Sequence, residues 1–291
     1  MLILVALIWG LAFVAQKVGM DYVGPFSFNM TRSFIGATVL LPVIFVLDKQ
    51  RAKMNLPAAT WKQKDLWVGG ILCGIFLCAG SSLQQIALQD SSSVGKVGFI
   101  TALYILFVPL LGLFLKKRVG LNVWIGVVIA IFGMYLLCVT DSFRVAPSDL
   151  LTLLCAFAFS FQILTIDHFS PKVDGVRMSC IQFLVCGVIC SVPSFILEAP
   201  KLTDMLQGWA PILYAGALSC GVAYTLQIVA QKHAEPTIAS LLMSLESVFS
   251  VLGGWLILGQ VLTTKESIGC MFVFAAVILA QLPEKKRHIS I

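Results

Sequence analysis

Ten stretches of this chain run for about 20 residues with almost no charge, the length at which a helix crosses the hydrocarbon core of a bilayer. They fall at approximately 1–22, 26–47, 66–88, 94–115, 120–139, 148–167, 177–198, 210–231, 237–258 and 265–282. The connections between them are short, and the longest, about 48–65, has no room for a soluble domain. Glycines and prolines are scattered through the stretches, which membrane helices tolerate. None shows the two-residue alternation of a closed β-barrel. The chain is therefore expected to be an all-α integral membrane protein with ten transmembrane helices. Composition points the same way. Of 291 residues, 59% are hydrophobic and 12% charged, with a mean hydropathy of +0.96. A soluble domain is about half apolar and one-quarter charged. This excludes a cytosolic enzyme, a disordered chain and a secreted disulfide scaffold.

The positions of the basic residues set an orientation. One set of connections carries Lys49, Arg51, Lys53, Lys62 and Lys64, then Lys116, Lys117 and Arg118, then Lys172 and Arg177. The same side takes Lys232 and the tail residues Lys285, Lys286 and Arg287, which makes 14 of the 20 Lys and Arg residues. The opposite side holds Arg144, Lys201 and Lys265, with Lys17 and Lys96 near that boundary and Arg32 inside span 2. The positive-inside rule then puts both termini in the cytoplasm of a cell bounded by this plasma or inner membrane. The net charge of +6 is spent on orientation and does not form a nucleic-acid surface. The first apolar stretch lacks a basic n-region and is too long for a signal-peptide core, so it reads as a retained span.

A repeat is visible. Leu83 to Gln89 followed by Ser91-Ser92-Ser93 resembles Leu226 to Lys232 followed by Glu235-Pro236-Thr237, and Val94–Leu115 aligns without a gap on Ile238–Gly259. Spans 2 and 7 carry the mid-helix polar residues Arg32 and Gln182. The chain reads as two five-helix repeats, 1–140 and 148–283, with a short basic tail at 284–291. An odd number of spans per repeat inverts the second relative to the first. Inverted repeats are the architecture of alternating-access transporters that bind substrate near the midplane.

Charge inside a bilayer is costly, so intramembrane ionisable groups are functional candidates. Glu246 lies about ten residues into span 9 with no nearby turn to bring it water. It either faces a wet cavity, carries a proton, or pairs with a cation; its structural role would be a carboxyl that fixes helix packing. Arg32 and Lys96 either face a polar cavity or snorkel to the outer surface. Neutral polar residues recur in both repeats. Gln84, Gln85, Thr101 and Tyr104 on spans 3 and 4 have counterparts in Tyr224, Gln227, Ser244 and Ser247 on spans 8 and 9. Such groups suit a pocket for an organic solute, or interhelical hydrogen bonding. Trp9 and Trp255 either stack on a ligand or fill space.

Other patterns carry little. All nine cysteines sit in apolar runs without CxxC or Cys/His metal spacing, and Cys186 and Cys190, at i and i+4, read as packing residues. No metal or other cofactor is expected. Ser93-Val94-Gly95-Lys96 fits S-x-x-K without the partner motifs of a serine acylase. Asn29-Met30-Thr31 is a sequon buried in span 2, and Gly70 and Gly74 form one G-x-x-x-G packing pair. There is no Walker A loop, so ATP does not drive the chain directly. His168, His233 and His288 sit at the cytoplasmic edges, against an intramembrane metalloprotease.

The sequence resembles the EamA-type branch of the drug/metabolite transporter superfamily over nearly its whole length. The resemblance rests on Leu7-Ile8-Trp9-Gly10, the Arg32 region, Gly98 to Tyr104 and Val108-Pro109. In the second half it rests on Leu226-Gln227, Gln231-Lys232, Glu235-Pro236-Thr237, Ser244 to Phe249 and Leu258-Gly259. It implies ten helices in an inverted five-helix repeat around a cavity lined mainly by helices 1, 3, 4, 6, 8 and 9. It also implies transport of small organic solutes such as amino acids and metabolites, often outward. The chain departs from the family at Ser247, where many members have proline, and at Gln260, where many have glutamate. The first departure predicts a straighter span 9; the second removes any role for a carboxylate at position 260.

The expected function is secondary active transport of a small organic metabolite, an amino acid or related polar or aromatic solute, by an exporter or exchanger. Glu246 is the candidate for charge recognition or proton coupling, with Gln84, Gln85, Tyr104 and Gln227 orienting the solute. The alternative is a channel-like facilitator without ion coupling, although no charge ring or filter strand is present. An intramembrane lipid enzyme lacks convergent His, Asp and Ser groups, and a purely structural protein leaves Glu246 unexplained. The partners expected are the small-molecule substrate, the lipid bilayer and, as one arrangement, a second copy in a homodimer.

Overall fold

The computed structural model describes residues 1–57, 59–90, 94–115, 120–138, 146–259 and 264–280. Lys116, Lys117, Arg118, Arg144, Gln260, most of the junction near 140–147 and the basic tail lie outside the described residues. The chain runs through α1 (Leu2–Gly19), α2 (Pro25–Lys53), α3 (Lys64–Asp90), α4 (Val94–Phe114) and α5 (Leu121–Cys138). It continues through α6 (Pro147–Phe169), α7 (Gly175–Glu198), α8 (Trp209–Gln231), α9 (Pro236–Leu258) and α10 (Thr264–Ala280). A short helix, Leu202–Gln207, bridges α7 and α8. No strand occurs among the described residues. Eight helices, all but α5 and α10, are long and apolar enough to cross a membrane. The expectation of ten spans is thus met by length and composition in eight. α5 and α10 are apolar over the shorter stretches Leu121–Gly133 and Ser267–Leu279, and both adjoin residues outside the described set.

Local sequence explains where the helices begin. Pro25, Pro147 and Pro236 each occupy the first turn of their helix, where the missing N–H costs nothing. α7 begins after Asp174, whose carboxylate accepts from the Arg177 backbone N–H at 2.9 Å.

Burial is inverted relative to a soluble protein. Phe45, Ile196 and Leu256 are 59%, 74% and 71% exposed, while Gln85, Gln182, Asn29 and Ser160 are fully covered. Lipid is as apolar as leucine, so the interior is left to close packing and hydrogen bonds. Gly70 and Gly74 of α3 lie directly against Ile181 and Val185 of α7, the use expected of the G-x-x-x-G pair. Gly10 of α1 lies against Phe249 and the Ser250 backbone of α9. The broadest contacts join α5 to α10, α3 to α6, α2 and α3 to α7, and α1 to α9, so each joins the first half of the chain to the second.

The helix ends fall into two groups. At one end Arg177 donates to Asp48 at 2.6 and 2.7 Å, Arg51 to Asp174 at 2.7 Å, and Gln63 to the Lys172 carbonyl at 3.0 Å. These are residues of the connections assigned above to one basic face. At the other end the Glu198 carboxylate, at the close of α7, accepts from the Phe26 and Ser27 backbone N–H groups at 2.9 and 2.7 Å. It thereby satisfies the orphan donors at the start of α2. Lys17 donates to the carbonyls of Leu88 and Gln89 at the end of α3, at 2.9 and 3.3 Å, a favourable site for a cation at a helix C-terminus.

Candidate functional site

A cavity opens between α1, α2, α3, α4, α6, α8 and α9. Its wall is built from Trp9, Phe13 and Gln16 of α1, Arg32 of α2, Gln84 of α3, and Thr101 and Tyr104 of α4. Phe159, Gln162 and Ile163 of α6, Ser219, Tyr224 and Gln227 of α8, and Glu246 of α9 complete it. The empty space between these side chains, counted out to the mouth, is about 430 Å³. The set of helices is the one implied by the resemblance, with α2 added through Arg32.

Two ionisable side chains face this space. Arg32 is only 4% exposed and donates to the Gln16 side-chain oxygen at 3.1 Å, with its guanidinium 5.8 Å from the centre of the Phe28 ring. It does not snorkel. Glu246, also 4% exposed, is the only carboxylate in the lining, and no ion pair joins it to Arg32. Trp9 and Tyr224 form an aromatic wall with ring centres 4.6 Å apart and planes tilted by 55°. Gln84 donates to Thr101 at 3.2 Å, and Gln162 to Gln182 at 3.2 Å in the layer behind the lining.

Five further polar atoms of the wall have no well-formed hydrogen bond. Trp9 Nε1, Tyr104 Oη, both polar atoms of the Gln227 amide and Glu246 Oε1 are buried without a well-formed hydrogen bond, with Tyr104 and Glu246 facing each other. A buried polar atom left this way costs about 1–3 kcal/mol, and native proteins pair nearly all of them. Five such atoms converging on one cavity form a set of donors and acceptors suited to a polar solute or to water.

Breaks in two helices shape the site. α4 makes a tighter turn at Leu103, where Leu103 N–H reaches the Ile100 carbonyl at 3.2 Å, between the cavity residues Thr101 and Tyr104. α9 is interrupted at Ser244 and Leu245, and its second segment, Glu246–Leu258, starts at the carboxylate itself. Ser244 and Leu245 both keep helical backbone and are buried, so this tighter turn leaves Glu246 as enclosed as the rest of the wall. A run of serines lies along this stretch. Ser240, Ser244, Ser247 and Ser250 donate to the carbonyls of Thr237, Leu241, Ser244 and Ser247 at 2.7–2.8 Å.

Eight of the residues singled out in the sequence share this wall: Trp9, Arg32, Gln84, Thr101, Tyr104, Tyr224, Gln227 and Glu246. Gln85 and Lys96 do not. Gln85 is fully buried behind the lining and donates to the Gln16 carbonyl at 3.1 Å. Lys96 pairs with Asp149 at 2.7 Å, joining the starts of α4 and α6. Trp255 is 47% exposed on the outer surface of α9. Sequence reasoning passed over Phe13, Gln16, Phe159, Gln162, Ile163 and Ser219. Gln16 and Gln162 carry the same signal as Gln84, an amide inside an apolar run.

Comparison with known proteins agrees with this architecture. A protein of Archaeoglobus fulgidus described as an uncharacterized transporter is 28% identical over 287 residues, covering 97% of this chain and 84% of that one. The uncharacterized transporter YoaV of Bacillus subtilis is 24% identical over 295 residues, covering 99% of this chain and 98% of that one. A solved crystal structure at 18% identity superposes with a TM-score of 0.73 over 95% of this chain and 96% of the other, which establishes the likeness of fold. The EamA-like transporter family matches residues 1–139 and again residues 146–282. With its apolar helices and near-complete coverage, the chain belongs to the EamA-like transporter family, a family of multi-pass membrane transporters.

Proposed function

We propose that the chain is a secondary transporter that carries a small organic metabolite, an amino acid or related polar or aromatic solute, by alternating access around the cavity. The observation that carries this reading is the convergence on one space of five buried polar atoms without a well-formed hydrogen bond. Arg32 gives that space a cation and Glu246 a carboxyl that can bind or release a proton, and Trp9 and Tyr224 give it an aromatic face. Export or exchange is the direction assigned, in a plasma or inner membrane with both termini cytoplasmic. The two separate family matches support two five-helix halves, 1–140 and 148–283, in inverted orientation.

The test uses purified protein. Thermal stability is measured against a panel of amino acids, nucleobases, vitamins and cations, because a ligand that binds the folded state raises it by mass action. A compound that stabilises the protein is then loaded in proteoliposomes and counterflow is measured. Saturable counterflow that is lost in Gln227→Leu supports the proposal. Flux without saturation or counterflow replaces it with a facilitator, and absence of any stabilising compound and any flux overturns it.

A further inference from the structure

The sulfur atoms of Cys78, Cys186 and Cys190 lie within 4.8 Å of one another, and all three residues are buried. Cys78 comes from α3 and the other two from successive turns of α7. The Cys78 and Cys190 sulfurs are 3.4 Å apart. None of the three lines the cavity. Ser33, next along α2 from Arg32, donates to Cys186 at 3.4 Å, which places the cluster behind the cavity wall. Ser82 lies 3.7 Å from Cys190, and Ser81 4.0 Å from Cys186. Seven described cysteines are free thiols, and among the described residues only these three His, Cys, Asp or Glu side chains gather closely enough to hold an ion. Local spacing hid the group because Cys78 is 112 residues from Cys190.

Packing accounts for a small buried residue at each position, but three thiols converging from two helices make a ligand set. A metal–thiolate bond is about 2.3 Å long, so three sulfurs arranged evenly around one ion sit about 4 Å apart. The observed separations, from 3.4 Å to at most 4.8 Å, bracket that value. The only further side-chain polar atoms bonded to these sulfurs are serine hydroxyls, so the set is soft and lacks the fourth strong ligand of a structural zinc site. Soft thiolate ligands select monovalent copper. A monovalent ion also suits the location, since its charge is offset as soon as one thiol gives up its proton, and charge inside a bilayer is costly.

We propose that Cys78, Cys186 and Cys190 form a three-sulfur site for one soft monovalent cation, Cu(I) or its analogue Ag(I), which ties α3 to α7. Binding forms metal–sulfur bonds and releases thiol protons to water, with no transfer of electrons. The site is independent of the cavity and of its cargo.

The test is an anaerobic titration of the purified, reduced full-length protein with Cu(I) against a chromophoric Cu(I) chelator. The wild type is expected to hold one equivalent more than Cys186→Ser, and Cys73→Ser to hold as much as the wild type. Ag(I) is expected to raise the melting temperature of the wild type and of Cys73→Ser by more than that of Cys186→Ser. Equal stoichiometry in wild type and Cys186→Ser overturns the proposal. X-ray absorption of the copper-loaded wild type decides the matter without any variant. Three sulfur neighbours at about 2.3 Å support the site; two sulfurs, or nitrogen and oxygen neighbours, overturn it. Recovery of a Cys78–Cys190 disulfide from the purified protein in place of three titratable thiols overturns it as well.

Discussion

The Arg32 guanidinium is bonded to the neutral amide of Gln16 at 3.1 Å, while Glu246, the one carboxylate on the same cavity, stays unpaired with it. The cation and the carboxyl are thus held apart, and both groups face the space a solute would occupy. Hydrogen bonds to charged groups contribute about 1.5–3 kcal/mol, or roughly 10–100-fold in affinity. Arg32→Met is expected to weaken binding of an anionic or zwitterionic substrate by that factor and to spare a neutral analogue. Stability shifts and counterflow measured with both compounds check this, and an equal loss for the two would contradict it.

Glu246→Gln keeps the shape of the side chain and removes its charge and its exchangeable proton. Transport by the wild type is expected to vary with pH across the range where the carboxyl gains and loses its proton. In the variant that profile is expected to be flat, with a rate about tenfold lower or less. Flux in proteoliposomes at stepped pH is the measurement. A wild-type rate and profile in the variant would remove Glu246 from the mechanism.

Close approach of α1 and α9 at Gly10 makes a stability prediction. A methyl group there would meet the Phe249 side chain and the Ser250 backbone, so the helices must separate. Gly10→Ala is expected to cost about 1–3 kcal/mol, read as a lower melting temperature in detergent. Gly259 has a φ of +65° and open space around it, and Gly259→Asn is expected to be far milder because asparagine tolerates that conformation.

Two ion pairs should differ in weight. The Arg177 side chain is 3% exposed, donates to Asp48, and lies 5.4 Å from the centre of the Trp61 ring. Arg177→Gln is expected to lower stability by about 1–3 kcal/mol. The Lys96 side chain is 32% exposed, so Lys96→Gln should cost under about 1 kcal/mol. Paired melts at low and high salt check both; Asp48 is 42% exposed, so each pair should weaken as salt rises.

Much of the site was legible because polarity inside an apolar run is rare and costly. Glu246, Gln84, Gln227 and Tyr104 stand out for that reason, and they line one cavity. Gln85 does not join them, since adjacent residues on a helix point about 100° apart and Gln84 already faces the cavity. Lys96 was ambiguous without knowledge of Asp149, which approaches from another helix 53 residues away. Gln16 and Gln162, amides inside apolar runs like Gln84, were legible by the same rule and line the cavity with it.

The contacts between α2 and α7 have a further consequence. Glu198 fastens the last turn of α7 to the first turn of α2, and Arg177 with Asp174 fastens the first turn of α7 to Asp48 and Arg51. Riveted at top and bottom, the two helices make a strut that straddles the seam between residues 1–139 and 146–282. A motion that swung those two segments apart as blocks would shear the strut at both rivets. α2 and α7 therefore form one mechanical unit drawn from both segments.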